Sequence, residues 1–159
     1  MIKFFLLALS ITSLNSFAEG RFPRTPDLNE TPGKLCSSPS SLRYPEKIAY
    51  CERNVDPYMK EDVIIKYDKE LGYNIRSMNR GEFKIDHLIP LCAGGDNAES
   101  NLWPQHRTVY KITDPIEPVL CEKMAQGKLT QKEAVEMVIY AKTHLDEVPS
   151  ILKKLNSIR

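Results

Sequence analysis

The residues best suited to chemistry lie between positions 83 and 106. Phe83-Lys84-Ile85-Asp86-His87-Leu88-Ile89-Pro90-Leu91 is followed by Gly94-Gly95-Asp96-Asn97 and by Asn101-Leu102-Trp103-Pro104-Gln105-His106. An Asp-His dipeptide in an alternating segment, a Gly-Gly turn and an Asn 14 residues after the His suit phosphodiester hydrolysis. That reaction needs a base to activate water and a divalent cation to hold the phosphate and stabilise the leaving oxygen. His87 has the right side chain for the base, with an unperturbed pKa of about 6.5. Asp86 offers the hard oxygen that Mg²⁺ or Mn²⁺ prefers. A carbonyl of Asn101 can accept the imidazole N–H and fix its tautomer. Adjacent residues of a flat strand point to opposite faces. Asp86 and His87 therefore reach one site only through strong twist or a bulge.

The run Asp-His-Leu-Ile-Pro-Leu, then Gly-Gly, then Asn-Leu-Trp-Pro resembles the HNH (His-Me finger, ββα-metal) endonucleases, and within them a small exported subgroup. The strong match covers residues 83–105. A looser one extends from Pro32-Gly33 through Cys51 and Arg53 to Cys121 and the last long helix. The resemblance implies a hairpin packed on a helix around one divalent metal, and cleavage of DNA or RNA. It makes His87 the general base, Asp86 a metal ligand and Asn101 the residue that orients the base. The expected cofactor is a divalent ion, Mg²⁺ ahead of Mn²⁺ or Zn²⁺. The expected partner is nucleic acid, DNA ahead of RNA, and an immunity protein stays an open question.

The sequence departs from the family at the third metal ligand. The common pattern places a His nine residues after the Asn, where this chain has Tyr110. His106 is taken as that ligand, ahead of Asp114 and Glu117, whose spacing reads as a helix-capping pair. Arg76, Arg80 and Lys84, with Arg107 and Lys111, suit a phosphate-binding rim, and a solvated charged face explains them equally well. Trp103 is expected in the core between hairpin and helix. The rival functional class is a non-catalytic exported module that uses the same scaffold to bind nucleic acid or protein.

These residues need elements to position them. Asp56-Pro57 is a cap with proline at the first helical position, and Met59, Val63, Tyr67 and Leu71 recur every four residues before Gly72. The spacing predicts a helix over 57–71 with one buried stripe. Phe83, Ile85, His87 and Ile89 alternate as one face of a strand through residue 91, with a short return strand over 101–103. Asp114-Pro115-Ile116-Glu117 opens a second helix that stops near Gly127. Thr130 and Glu133 form a capping box for a third, ending near His144, with Ala134, Val135, Val138 and Ile139 buried. A short helix follows Pro149. The fold class is α+β: a ββα-metal core with additional helices, tied by disulfides.

The 159-residue chain suits one domain once a processed segment is removed. At 42% hydrophobic and 27% charged residues, it is neither low-complexity nor collagen-like. Lys and Arg number 22 against 21 Asp and Glu, so polyanion binding must come from a local patch. Lys3, the apolar run Phe4 to Leu14 and Ser16-Phe17-Ala18 read as a signal peptide over 1–18. The run falls short of the roughly 20 residues of a spanning helix, so no membrane contact is expected after cleavage. Localisation is then periplasmic or secreted. Residues 19–45 hold five of eleven prolines and form an arm. Residues 46–159 form the nuclease-like domain, with its motif core at 83–117. Cys36, Cys51, Cys92 and Cys121 suggest two disulfides in one of three connectivities. Their positions favour Cys51–Cys121, stapling two helices, with Cys36–Cys92 pinning the arm to the turn.

Overall fold

The computed structural model describes residues 21–159 of the chain, and the signal-peptide reading of 1–18 lies outside the described residues. The elements run β1 (Ser41–Arg43), β2 (Ile48–Tyr50), α1 (Pro57–Leu71), β3 (Phe83–His87), β4 (Leu102–His106), α2 (Arg107–Thr113), α3 (Ile116–Ala125), α4 (Gln131–Thr143) and α5 (Val148–Ser157). The fold is mixed α+β with two disulfides. Among the described residues, no helix is long and apolar enough to cross a membrane.

Local signals set the two longest helices. Asp56 Oδ1 accepts the Met59 N–H at 2.8 Å, Pro57 fills the first turn, and Gly72 ends α1 in the left-handed region at φ 73°. Thr130 and Glu133 make the expected capping box at the start of α4. Val63, Ile64 and Tyr67 of α1 share a core with Phe83, Ile85 and Leu102 of the β3–β4 hairpin. A second core joins α3, α4 and α5 through Leu120, Ala134, Val138 and Leu155, and reaches Ile89 and Ala93 between the strands.

β3 and β4 pair antiparallel, with Phe83 opposite His106 and His87 opposite Leu102. The strands differ from the expectation in extent: β3 stops at His87 rather than residue 91, and β4 starts at Leu102 rather than Asn101 and runs on to His106. Past His87 the ladder gives way to a side chain. Asn101 Oδ1 accepts the Ile89 N–H at 2.9 Å, and its Nδ2 donates to the Ile89 carbonyl at 3.0 Å and the Asp96 carbonyl at 2.8 Å. A single amide thus pairs with Ile89 as a strand residue would. Gly95 lies against the same backbone, where a Cβ would sit 1.9 Å from the Ile89 carbonyl oxygen.

Helix follows the hairpin directly, in α2, where the sequence suggests none before Asp114. Asp114 has helical backbone angles at the end of α2 and caps nothing in α3, whose N-cap position is Pro115. Its carboxylate goes instead to Lys84 Nζ at 2.5 Å, so the Asp114–Glu117 capping pair does not form.

The arm is woven into the body. Thr31 is fully buried, its hydroxyl 2.8 Å from the Tyr67 hydroxyl and donating to the Leu102 carbonyl at 3.2 Å. Leu35 bridges to Gly95. The disulfides join Cys36 to Cys51 and Cys92 to Cys121, with Cα–Cα distances of 5.7 and 5.9 Å. This corrects the expected Cys51–Cys121 and Cys36–Cys92 pairing. The β1–β2 hairpin returns Cys51 to Cys36, while the turn after Pro90 lies on α3, so each cysteine pairs with the next one along the chain. By loop closure each bond contributes about 3–4 kcal/mol.

Two expectations follow. Peptide mapping of the oxidised protein under non-reducing conditions should recover Cys36 joined to Cys51 and Cys92 joined to Cys121. Gly95→Ala, which drives a methyl into main-chain atoms, should lower unfolding free energy by about 3 kcal/mol or more. Gly81→Ala, whose Cβ would meet only the Asn79 side chain at 3.3 Å, should stay within about 0.5 kcal/mol of wild type in the same denaturant titration.

Candidate functional site

Regular alternation along β3 decides what Asp86 and His87 can share. Phe83, Ile85 and His87 lie on one face with Leu102, Pro104 and His106, while Lys84 and Asp86 lie on the other with Trp103 and Gln105. The register is one-to-one throughout, so no bulge turns Asp86 and His87 towards one point.

His87 is 3% exposed and held at both ring nitrogens. Arg53 Nη1 lies 3.3 Å from Nδ1, and Asn97 Oδ1 lies 3.2 Å from Nε2. A guanidinium only donates, so Nδ1 must accept, and Nε2 carries the proton that Asn97 receives. The partners therefore assign the neutral Nε2–H tautomer. Burial is the first cause that holds the imidazole pKa down to about 4; the Asn97 bond opposes it and the Arg53 charge adds to it. Arg53 also donates to the Ile85 carbonyl at 3.2 Å, and Asn97 Nδ2 to the Glu52 carbonyl at 2.7 Å.

Arg53 and Asn97 have a second surface. Both line an open polar cleft of about 580 Å³ whose walls include Ser37, Ser38, Asn54 and Asp96. His87 stands behind that wall. The Cys36–Cys51 bond lies beside the cleft, joining the segment before Ser37 to the one before Arg53. Asp96 accepts the Ser37 N–H and the Ala98 N–H, which fixes the turn that carries Asn97.

The other face is a lattice of charge. Lys142 Nζ, on α4, donates to Asp86 Oδ2 at 3.0 Å and to the His87 carbonyl at 2.5 Å. Lys84 Nζ lies 3.7 Å from Asp86 Oδ1. Burial works to raise the Asp86 carboxyl pKa, and Lys142 followed by Lys84 outweigh it and hold it below the ordinary value. Glu117 belongs to the same group, and burial pushes its carboxyl up against the pull of Lys142.

Several expected site residues stand elsewhere. Asn101 does not touch the His87 ring; its amide is spent on Ile89 and Asp96, and Asn97 makes the imidazole contact instead. His106 lies four residues along the ladder from His87, about 13 Å away, and on the face opposite Asp86. It caps α2 by accepting the Thr108 N–H at 3.4 Å, and its ring stacks on Phe22 at 4.0 Å. Asp86 and His106 therefore cannot bind one ion, and no group of three His, Cys, Asp or Glu among the described residues is arranged to hold a metal.

The expected rim is also dispersed. Arg76 Nε pairs with Asp68 at 3.2 Å, Arg80 donates to the Phe83 carbonyl at 2.7 Å, and Lys84 serves Asp114. Arg107 pairs with Glu82 at 3.2 Å. Tyr110, in the position of the family's His, lies under Lys84, 5.1 Å from its Nζ. Trp103 is fully buried, as expected.

Comparison with protein-family models, curated proteins and solved structures gave no match to this chain.

Acid should find His87 first. A native pKa near 4 against about 6.5 unfolded means the unfolded chain binds the proton the native ring refuses. The stability this supplies is complete above about pH 6.5 and is lost as pH falls through about 4, on the order of 3 kcal/mol in all. Glu117 works in the opposite direction, since a raised carboxyl favours the native state as pH falls. The difference between wild type and His87→Asn isolates the histidine. Denaturant titrations from about pH 7.5 to about pH 4.5 should show wild type losing markedly more stability than His87→Asn.

Proposed function

We propose that this chain is an exported nuclease that hydrolyses phosphodiester bonds, with DNA ahead of RNA as substrate, on a ββα core made of β3, β4 and α2. The single observation that carries the reading is a buried, neutral His87 whose two partners, Arg53 and Asn97, line an open polar cleft. The residues 83–105 that resemble the HNH endonucleases, and the two disulfides suited to an oxidising compartment, support it further.

In this reading Arg53 has two positions. In the free protein its guanidinium caps His87 Nδ1. A phosphate entering the cleft offers a stronger, charge-assisted partner and draws Arg53 away. The freed Nδ1 lone pair then takes a proton from water, and the water oxygen attacks phosphorus as the P–O bond to the leaving oxygen breaks. Arg53 offsets the charge that gathers on the phosphate, solvent returns a proton to the leaving oxygen, and Asn97 keeps the ring oriented throughout. The family's divalent ion enters no step, because Asp86 and His106 do not form a common site.

One observation favours the rival reading, a non-catalytic binding module: both nitrogens of His87 are engaged and the ring is screened from the cleft. Activity separates the two. Purified oxidised protein should cut plasmid, linear DNA or RNA in buffers holding Mg²⁺, Mn²⁺ or EDTA. His87→Ala should lower turnover by about 10²-fold or more with little change in KM, since base catalysis commonly contributes 10²–10⁴. Arg53→Gln should raise KM and flatten the salt dependence of binding, because one phosphate contact is lost. A wild-type rate in His87→Ala, in a preparation shown free of contaminating nuclease, would remove the base assignment. Binding without cleavage by the wild-type protein would leave the module.

A further inference from the structure

Lys142 is the most deeply placed charge in the described part of the chain, 3% exposed in the last turn of α4 between the buried Val138 and Ala141 on one side and the hairpin on the other. An ammonium leaves water at this depth only when its protons are met by charge and hydrogen-bond acceptors. Two acceptors meet it here, and both belong to the Asp-His dipeptide: Asp86 Oδ2 at 3.0 Å and the His87 carbonyl at 2.5 Å. The remaining Asp86 oxygen faces the second ammonium, Lys84, at 3.7 Å. Each oxygen of the carboxylate that the resemblance assigns to a metal therefore already faces a cation.

We propose that Lys142 occupies the cation position of this hairpin, so that Asp86 is the counterion that docks α4 on β3 and not a ligand for a divalent ion. A Mg²⁺ or Mn²⁺ ion binds carboxylate oxygen at about 2.1 Å. At either Asp86 oxygen it would lie within a few ångströms of one ammonium or the other, with no imidazole on that face of the ladder to join it. Glu117 and Asp114 are the other acids on this side. Asp114 is tied to Lys84 at 2.5 Å, and among the described residues these acids do not form a group of three with Asp86 arranged to hold a metal. The imidazoles of His87 and His106 lie on the opposite face of the ladder. Lys142 does at this point what a bound metal does elsewhere: it joins a helix to the main chain of the segment bearing the histidine. The inference is independent of whether the chain cleaves nucleic acid.

Mn²⁺ binding to the oxidised protein, read by loss of the free-ion electron paramagnetic resonance signal, tests it directly. Asp86→Asn keeps the shape of the side chain and removes its charge. The expected result is that wild type and Asp86→Asn bind Mn²⁺ equally, or that neither binds it. A loss of affinity of about tenfold or more in Asp86→Asn would overturn the proposal. In thermal unfolding, Asp86→Asn and Lys142→Met should each lower the midpoint, and the double variant should lose less than the sum of the two. Additive losses would overturn the pairing. The Mn²⁺ comparison uses only wild type and Asp86→Asn, so it decides the matter even if Lys142→Met does not fold.

Discussion

The side-chain amide of Asn101 holds together what the backbone ladder leaves open. β3 ends at His87, and the chain must then turn through Pro90 and two glycines before it can return as β4. No strand lies beside Ile89 to take its N–H and carbonyl, and an unpaired pair of buried main-chain groups costs several kcal/mol. Asn101 supplies both partners from one planar group. Its third bond, to the Asp96 carbonyl, fixes the turn from the inside. Gly95 follows from the same constraint, because the turn passes so close to Ile89 that no side chain fits. Asn97 then arrives at the His87 ring with its own amide already committed to the Glu52 carbonyl. The residue expected to orient the histidine does so at one remove, by shaping the loop that carries the residue in contact.

Alternation divides the hairpin between two tasks. One face gives His87 to a polar cleft through Arg53 and Asn97. The other gives Asp86 to a buried lysine and so to α4. The division explains why neighbours in sequence have opposed electrostatics: Asp86 stays ionised because cations surround it, and His87 stays neutral because burial and a guanidinium oppose its proton. It also means that the position of His87 is set from both sides. Its ring is held by the cleft wall, and its carbonyl is held by Lys142.

What could be read from the sequence follows the range of each interaction. α1 and α4 carry their own boundaries in residues three or four positions apart, and both were legible to within a residue or two. α2 was not, because Arg-Thr-Val-Tyr-Lys-Ile-Thr is rich in β-branched residues and owes its helix to the burial of Val109 and Thr113 and to the His106 cap. Once α2 forms, Asp114 is already helical and its capping role is gone. The disulfide pairing and the Arg53–His87 contact depend on which loops approach, over separations of 15 to 34 residues, and no local pattern encodes that. Asp86 and His87 stood out by type, as did Asn101, though its work is structural in this fold. Arg53 carried one signal, its place in the looser stretch of resemblance. Asn97 was hidden among turn residues. Lys142 looked like one more charge on a helix.

The two disulfides lie in series along the chain, the first closing 36–51 and the second 92–121. No covalent cross-link therefore spans the stretch between them, which includes the exposed Asn79-Arg80-Gly81 turn. A protease that cuts there would produce two pieces, each with its own internal bridge, one bearing Arg53 and Thr31 and the other His87, Asn97 and Lys142. Their reunion would rest on non-covalent contacts alone: side-chain packing, the Leu35–Gly95 bridge, and hydrogen bonds such as Arg53 to His87, Asn97 to Glu52 and Thr31 to Leu102. The cleft is in this sense a joint between two covalently separable halves. In a nicked chain the bridges would keep each piece in shape, but neither would hold one piece to the other.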